Sequence, residues 1–176
     1  MPQIDVILTL NEAHAGLSGT VASVLAQSLR DLRLIVAVSP AVEGVRGAID
    51  TDDPRVEIHA LNGRSAAALR NKAMDLAEAP FVAFLEAGDT LTPSALTDLV
   101  AGARAGRVGA ACGSWLVADA GGAPDGPPID PPEGSSTFYA MWQFMKDHPY
   151  DLEAGDSPYL SSGLPEYFPE WCSVAE

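Results

Sequence analysis

Phe81-Val82-Ala83-Phe84-Leu85-Glu86-Ala87-Gly88-Asp89 runs five apolar residues directly into a corner holding two carboxylates. An unbroken apolar run bounded by turn residues suits a strand covered on both faces. In open α/β sheets, ligands sit beyond the carboxyl ends of such strands. Glu86 and Asp89 have the chemistry to hold a divalent cation there, and the cation to hold a diphosphate. The alternative is an acidic turn whose carboxylates only cap the next helix.

Strand and helix signals alternate on either side of this stretch. Ile4–Leu10 reads as an apolar strand interrupted by Asp5, and Leu32–Val38 as a second. Arg55–Ala60 alternates apolar and polar residues, as an edge strand does, and Ala110–Ala118 reads as a last strand with Trp115 in the core. Leu17, Val21, Val24 and Leu25 share one helical face. Ser65 caps a helix that buries Ala66, Leu69, Ala73 and Leu76. Thr92-Pro93 opens a helix with Leu96, Leu99, Val100 and Ala103 inward. The alternation predicts right-handed crossovers and an α/β fold: a three-layer α/β/α, Rossmann-like, mostly parallel sheet.

Composition narrows the function. A chain of 176 residues is by default one domain, and 47% hydrophobic content excludes a disordered chain. A net charge of −14 argues against nucleic acid and anionic membrane as partners, since both need a basic patch. Residues 1–118 carry 13 acids and 9 bases, whereas residues 119–176 carry 11 acids and only Lys146 as a base. Cys112 and Cys172 form no metal or redox spacing and read as reduced thiols. His14, His59 and His148 are scattered and read as surface or locally bonded side chains. The first residues lack the pattern of a signal peptide, and no run reaches the roughly 20 apolar residues of a membrane span. The expected location is therefore cytoplasmic.

The chain divides in three. Residues 1–118 form the α/β body, and 119–136 are a loop crowded with Gly, Pro and Asp. Residues 137–176 hold one extra helix at 137–147, bearing Phe138, Met141, Trp142 and Met145, and then an irregular acidic tail with Tyr159, Leu164, Tyr167, Phe168 and Trp171. These aromatics dock either on the domain's own surface or on a second copy or partner chain. No G-x-G-x-x-G follows a strand, and there is no P-loop and no G-x-S-x-G elbow.

Four segments together resemble the inverting family 2 glycosyltransferases, which have the GT-A nucleotide-sugar-binding fold. They are Ile4-Asp5-Val6-Ile7-Leu8-Thr9-Leu10-Asn11-Glu12, Ser23-Val24-Leu25-Ala26-Gln27-Ser28, Asp53-Pro54-Arg55-Val56 with Ala66-Ala67-Ala68-Leu69-Arg70-Asn71, and Phe84-Leu85-Glu86-Ala87-Gly88-Asp89. The resemblance implies transfer of a sugar from a nucleoside diphosphate to an acceptor hydroxyl, with inversion at the anomeric carbon. It also implies Mn²⁺ or Mg²⁺ at an Asp-x-Asp motif, neutralising the departing diphosphate. Carried over by position, Thr9, Asn11, Glu12, Ser39, Arg70 and Glu86 would line the nucleotide-sugar site, and Glu86 and Asp89 would hold the metal.

Departures from the pattern are informative. Ser39 stands at the end of the second strand, where the resemblance implies an aspartate that reads the nucleobase. Gly88 occupies the slot of the usual metal-binding aspartate. The catalytic base and the acceptor half would lie beyond the matched region, so no catalytic residue is assigned. Two functions follow: a glycosyltransferase, or a GT-A-like domain that kept the fold and serves as a binding or interaction module.

Overall fold

The computed structural model describes residues 2–49, 52–63, 65–106, 110–119, 122–130 and 174–175. The order is β1 (Ile4–Leu10), α1 (Leu17–Leu25), β2 (Leu32–Val38), α2 (Val45–Ala48), β3 (Val56–Ala60), α3 (Ala66–Met74), β4 (Phe81–Glu86), α4 (Ala95–Gly106), β5 (Ala110–Ala111) and β6 (Val174–Ala175). The sheet order is β3-β2-β1-β4-β6-β5. β1 through β4 are parallel, and the short β6 runs antiparallel to both β4 and β5. The alternation read from the sequence is thus an α/β sheet with helical crossovers.

Strand parity sorts the two faces. Ile4, Val6, Leu8 and Leu10 point with Leu34, Val36, Ala83 and Leu85 into a large core closed by α1 and α4. Ile7, Ile35, Ala37 and Val82 point the other way, toward Ala73 of α3. Burial of this kind contributes about 25 cal/mol per Å² of apolar surface, and it fixes strand register. Asp5 lies on the α3 face at the foot of β1, with no solvent exposure. Arg33 of β2 donates to both its oxygens, at 2.9 and 2.8 Å, and the N–H groups of Glu78 and Ala79 add donors at 2.7 and 2.9 Å. The polar interruption of β1 is therefore a satisfied ion pair that ties the α3–β4 turn to the sheet.

Three local expectations change. The last strand was expected over Ala110–Ala118, but only Ala110–Ala111 pair in the sheet. Trp115 instead bridges Ile129, and Ala118 bridges Pro124. Residues 115–118 and 124–129 therefore form a strip of their own, with Leu116, Val117 and Ile129 exposed and Trp115 half-buried rather than in the core. The fourth helix begins at Ala95, not at Pro93. The Thr92 and Pro93 carbonyls accept from Gln27 Nε2 and the Ser28 N–H, at 2.7 and 2.8 Å, so the turn after α1 holds this segment. α2 was not foreseen; it buries Val45 after the turn at Gly44. The expected cap of α3 is present, with Ser65 Oγ accepting from the Ala68 N–H at 3.2 Å. The extra helix at 137–147 and the aromatics of the tail lie outside the described residues.

Candidate active site

Register brings the sequence candidates to one end of the sheet. Thr9 lies between Ala37 of β2 and Glu86 of β4. Asn11, Ser39 and Asp89 follow within three residues of the ends of β1, β2 and β4. Thr9 is buried, Ser39 is half-buried, and Asn11 and Glu12 are exposed in the turn after β1. The Ser39 N–H donates to the Leu10 carbonyl at 2.8 Å, so the two strand ends leave the sheet together.

Beside Ser39 an open cleft of about 600 Å³ is lined by Ser39, Pro40, Ala41, Asn62, Gly63 and Ala68. It sits between the ends of β2 and β3 and the first turn of α3. Asn62 and Gly63 were not foreseen as site residues, because nothing in the sequence marks which loop the end of β3 presents to Ser39.

α3 carries Arg70 up the same face. Its guanidinium lies 5.7 Å from the Phe84 ring centre and 3.6 Å from Glu86 Oε1. Burial draws Arg70 below its ordinary value, and Glu86 opposes that shift. The arrangement leaves a cation and a half-exposed carboxylate together at the mouth of the sheet. Asn71, the next residue, points outward and is exposed.

The acidic corner is anchored by α1. Thr20 Oγ1 accepts from the Gly88 N–H at 2.9 Å, and Ser23 Oγ accepts from the Leu91 N–H at 3.1 Å. Gln27, fully buried, accepts from the Leu96 N–H at 3.0 Å. A Cβ on Gly16 would lie 2.8 Å from Gly88 Cα, so only glycine permits this backbone approach. Gly88 itself has φ +105°, a conformation L side chains rarely adopt. Ser94 and Asp98, 2.7 Å apart, form the polar contact at the start of α4; Asp89 has no part in it. Burial pushes the Asp89 carboxyl up, nearby Glu86 adds to the rise, and His14 opposes it.

Glu86 acts electrostatically on Asp89, and a pair of carboxylates is by itself only a small part of the oxygen shell that a divalent cation needs. They do not form a cage: among the described residues no three His, Cys, Asp or Glu side chains gather as metal ligands. No helix among the described residues is long and apolar enough to cross a membrane.

Comparison with known proteins identifies the fold and the family. No curated protein matches the sequence. Among solved structures, Staphylococcus aureus TarS residues 1–349 in complex with UDP-GlcNAc is similar at TM-score 0.58 and 16% identity, covering 78% of this chain and 40% of that one. A mannosyltransferase from Pyrobaculum calidifontis, PcManGT, in complex with GDP-Man and Mn²⁺, is similar at TM-score 0.52 and 18% identity, covering 67% of this chain and 36% of that one. The chain thus spans less than half of either, and at these identities the likeness shows the GT-A fold. The model of the family described as glycosyl transferase family 2 matches residues 6–168, so the chain belongs to that family.

Proposed function

We propose that this chain binds a nucleoside-diphosphate sugar at the carboxyl ends of β1, β2 and β4, for transfer of the sugar to an acceptor hydroxyl with inversion. The observation that carries the reading is that Thr9, Arg70 and Asp89 gather around Glu86 at the same end of the sheet where Ser39 lines an open cleft. In this reading the base enters the cleft at Ser39 and Asn62, with Asn11 and Glu12 at its rim. Arg70 faces the diphosphate as a fixed cation. Glu86 and Asp89 hold Mn²⁺ or Mg²⁺, which when bound supplies Lewis-acid neutralisation of the leaving diphosphate. The raised Asp89 carboxyl supports this assignment: burial first, and Glu86 second, disfavour its charge, and a bound cation relieves both.

The bare backbone at Gly88 favours a second reading, a domain that binds the nucleotide without catalysing transfer. Calorimetry with UDP, GDP and their sugars, with Mn²⁺ or with EDTA, tests the first part. Binding that Mn²⁺ strengthens, and that Asp89→Asn weakens at least tenfold, supports the site; no binding of any nucleotide overturns it. Sugar release or transfer from a bound donor separates the transferase from the binding module.

A further inference from the structure

Among the described residues, His14 stands beside the acidic corner and is accounted for neither by the sequence motifs nor by the proposed site. Its carbonyl accepts from the Leu17 N–H at 3.2 Å, and its Nδ1 accepts from the Gly16 N–H at 3.1 Å. The ring lies against Gly88. A Cβ at position 88 would stand 2.5 Å from His14 Cε1 and 3.2 Å from Nε2. The imidazole therefore fills the volume that a side chain at this position would need. It is exposed to solvent and acts electrostatically on Asp89.

The Gly16 contact sets the ring's chemistry. A backbone N–H donating to Nδ1 requires a lone pair there, so the proton of the neutral ring sits on Nε2. A nitrogen that carries a proton is a hydrogen-bond donor and not a metal ligand. No hydrogen bond from Nε2 to another described residue occupies that donor. Where the family resemblance leads one to expect a cation-binding carboxylate, this chain presents an N–H.

We propose that His14 is a diphosphate-binding residue: its Nε2–H donates to a phosphate oxygen of the nucleotide, in the place vacated by the side chain missing at Gly88. This rests on the nucleotide-sugar reading of the site. It assigns two donors from the chain itself, Arg70 and His14, to opposite sides of the Glu86–Asp89 corner. The chain then relies less on a metal ion to hold the diphosphate.

The test is calorimetry of UDP and GDP binding, with Mn²⁺ and with EDTA, to the wild type, His14→Ala and His14→Asn. Asparagine keeps a short acceptor for the Gly16 N–H but cannot reach the corner, so it separates the turn from the ligand. Hydrogen bonds to charged groups are the stronger class. Both variants are expected to lose affinity roughly tenfold, with the larger loss in EDTA, while His14→Asn melts with the wild type. Wild-type affinity in His14→Asn overturns the assignment. Loss in His14→Ala alone, with a lowered melting temperature, also overturns it, because the role is then that of the turn. If the wild type binds no nucleotide even with Mn²⁺, the nucleotide-sugar reading fails first and this inference falls with it.

Discussion

Thr20 Oγ1 accepts the N–H of Gly88 at 2.9 Å, joining the first turns of α1 to the acidic corner after β4 across 68 residues of sequence. Ser23 and Gln27 continue the seam toward α4. The corner's shape is thus set by a helix that contributes no charged group to it.

Loosening that seam should harm binding as well as folding. Gln27→Ala leaves the Leu96 N–H without its partner inside the fold and takes one of two donors from the Thr92 carbonyl, which still accepts from the Ala95 N–H, at about 1–3 kcal/mol. Thr20→Val removes the acceptor of the Gly88 N–H and a long donor bond to the Gly16 carbonyl, and should cost about 1–2 kcal/mol. Urea titration checks both values. Nucleotide affinity of Thr20→Val, measured well below its melting temperature, should fall because the Gly88 N–H is released.

Writing the missing carboxylate back should fail. Gly88→Asp places a side chain at φ +105° and against the His14 ring. Such backbone strain costs about 1–3 kcal/mol. Combining it with His14→Ala should recover the steric part and leave the backbone part. A double-mutant cycle in chemical denaturation reads this as a non-additive, favourable coupling.

Acid stability should track Asp5. Burial works against its charge, but the Arg33 hydrogen bonds and the Ala79 and Glu78 N–H groups outweigh that, and its carboxyl titrates below the ordinary value. A lowered folded value stabilises the fold fully above the unfolded value, near about 4, and the stabilisation is lost as pH falls through the folded value. Asp5→Asn should cost about 3 kcal/mol at neutral pH and flatten the acid limb of the stability curve. Melting temperatures between pH 7 and pH 2 check both.

Asp89 should show the opposite sign. Its raised carboxyl means that ionisation is disfavoured in the fold, first by burial and then by Glu86. The cost is present above the folded value and vanishes below the unfolded one. Asp89→Asn should therefore raise the melting temperature at pH 7 and leave it unchanged at pH 3. Its variant should also lose the extra thermal shift that Mn²⁺ gives the wild type in the presence of UDP.

Three of the parallel strands were legible from long apolar runs whose ends are marked by turn residues, and the third in chain order from its alternation of apolar and polar residues. Glu86 and Thr9 follow from that, since register places them side by side. Other features depend on distant partners. The start of α4 is displaced because Gln27 and Ser28 take the Thr92 and Pro93 carbonyls, and no local propensity reports that competition. Ala110–Ala118 looked like a strand from its apolar content, but Leu116 and Val117 stay exposed and the chain turns back on itself instead. His14 reads from the sequence as a surface or locally bonded side chain, and its bond from the Gly16 N–H is of that local kind. Its significance comes from what Gly88 lacks, and a sequence does not show which side chain fills an empty volume.

β3 ends the sheet, and among the described residues nothing pairs with its outer side. Such an open row of amides and carbonyls invites another strand to add on. Glu57 and His59 sit there 3.1 Å apart, with Arg33 behind them at 3.6 Å from Glu57. A charged border of this kind makes the strip a poor template for accretion, so the same sheet that gathers ligand groups at one end discourages fibril-like stacking along its flank.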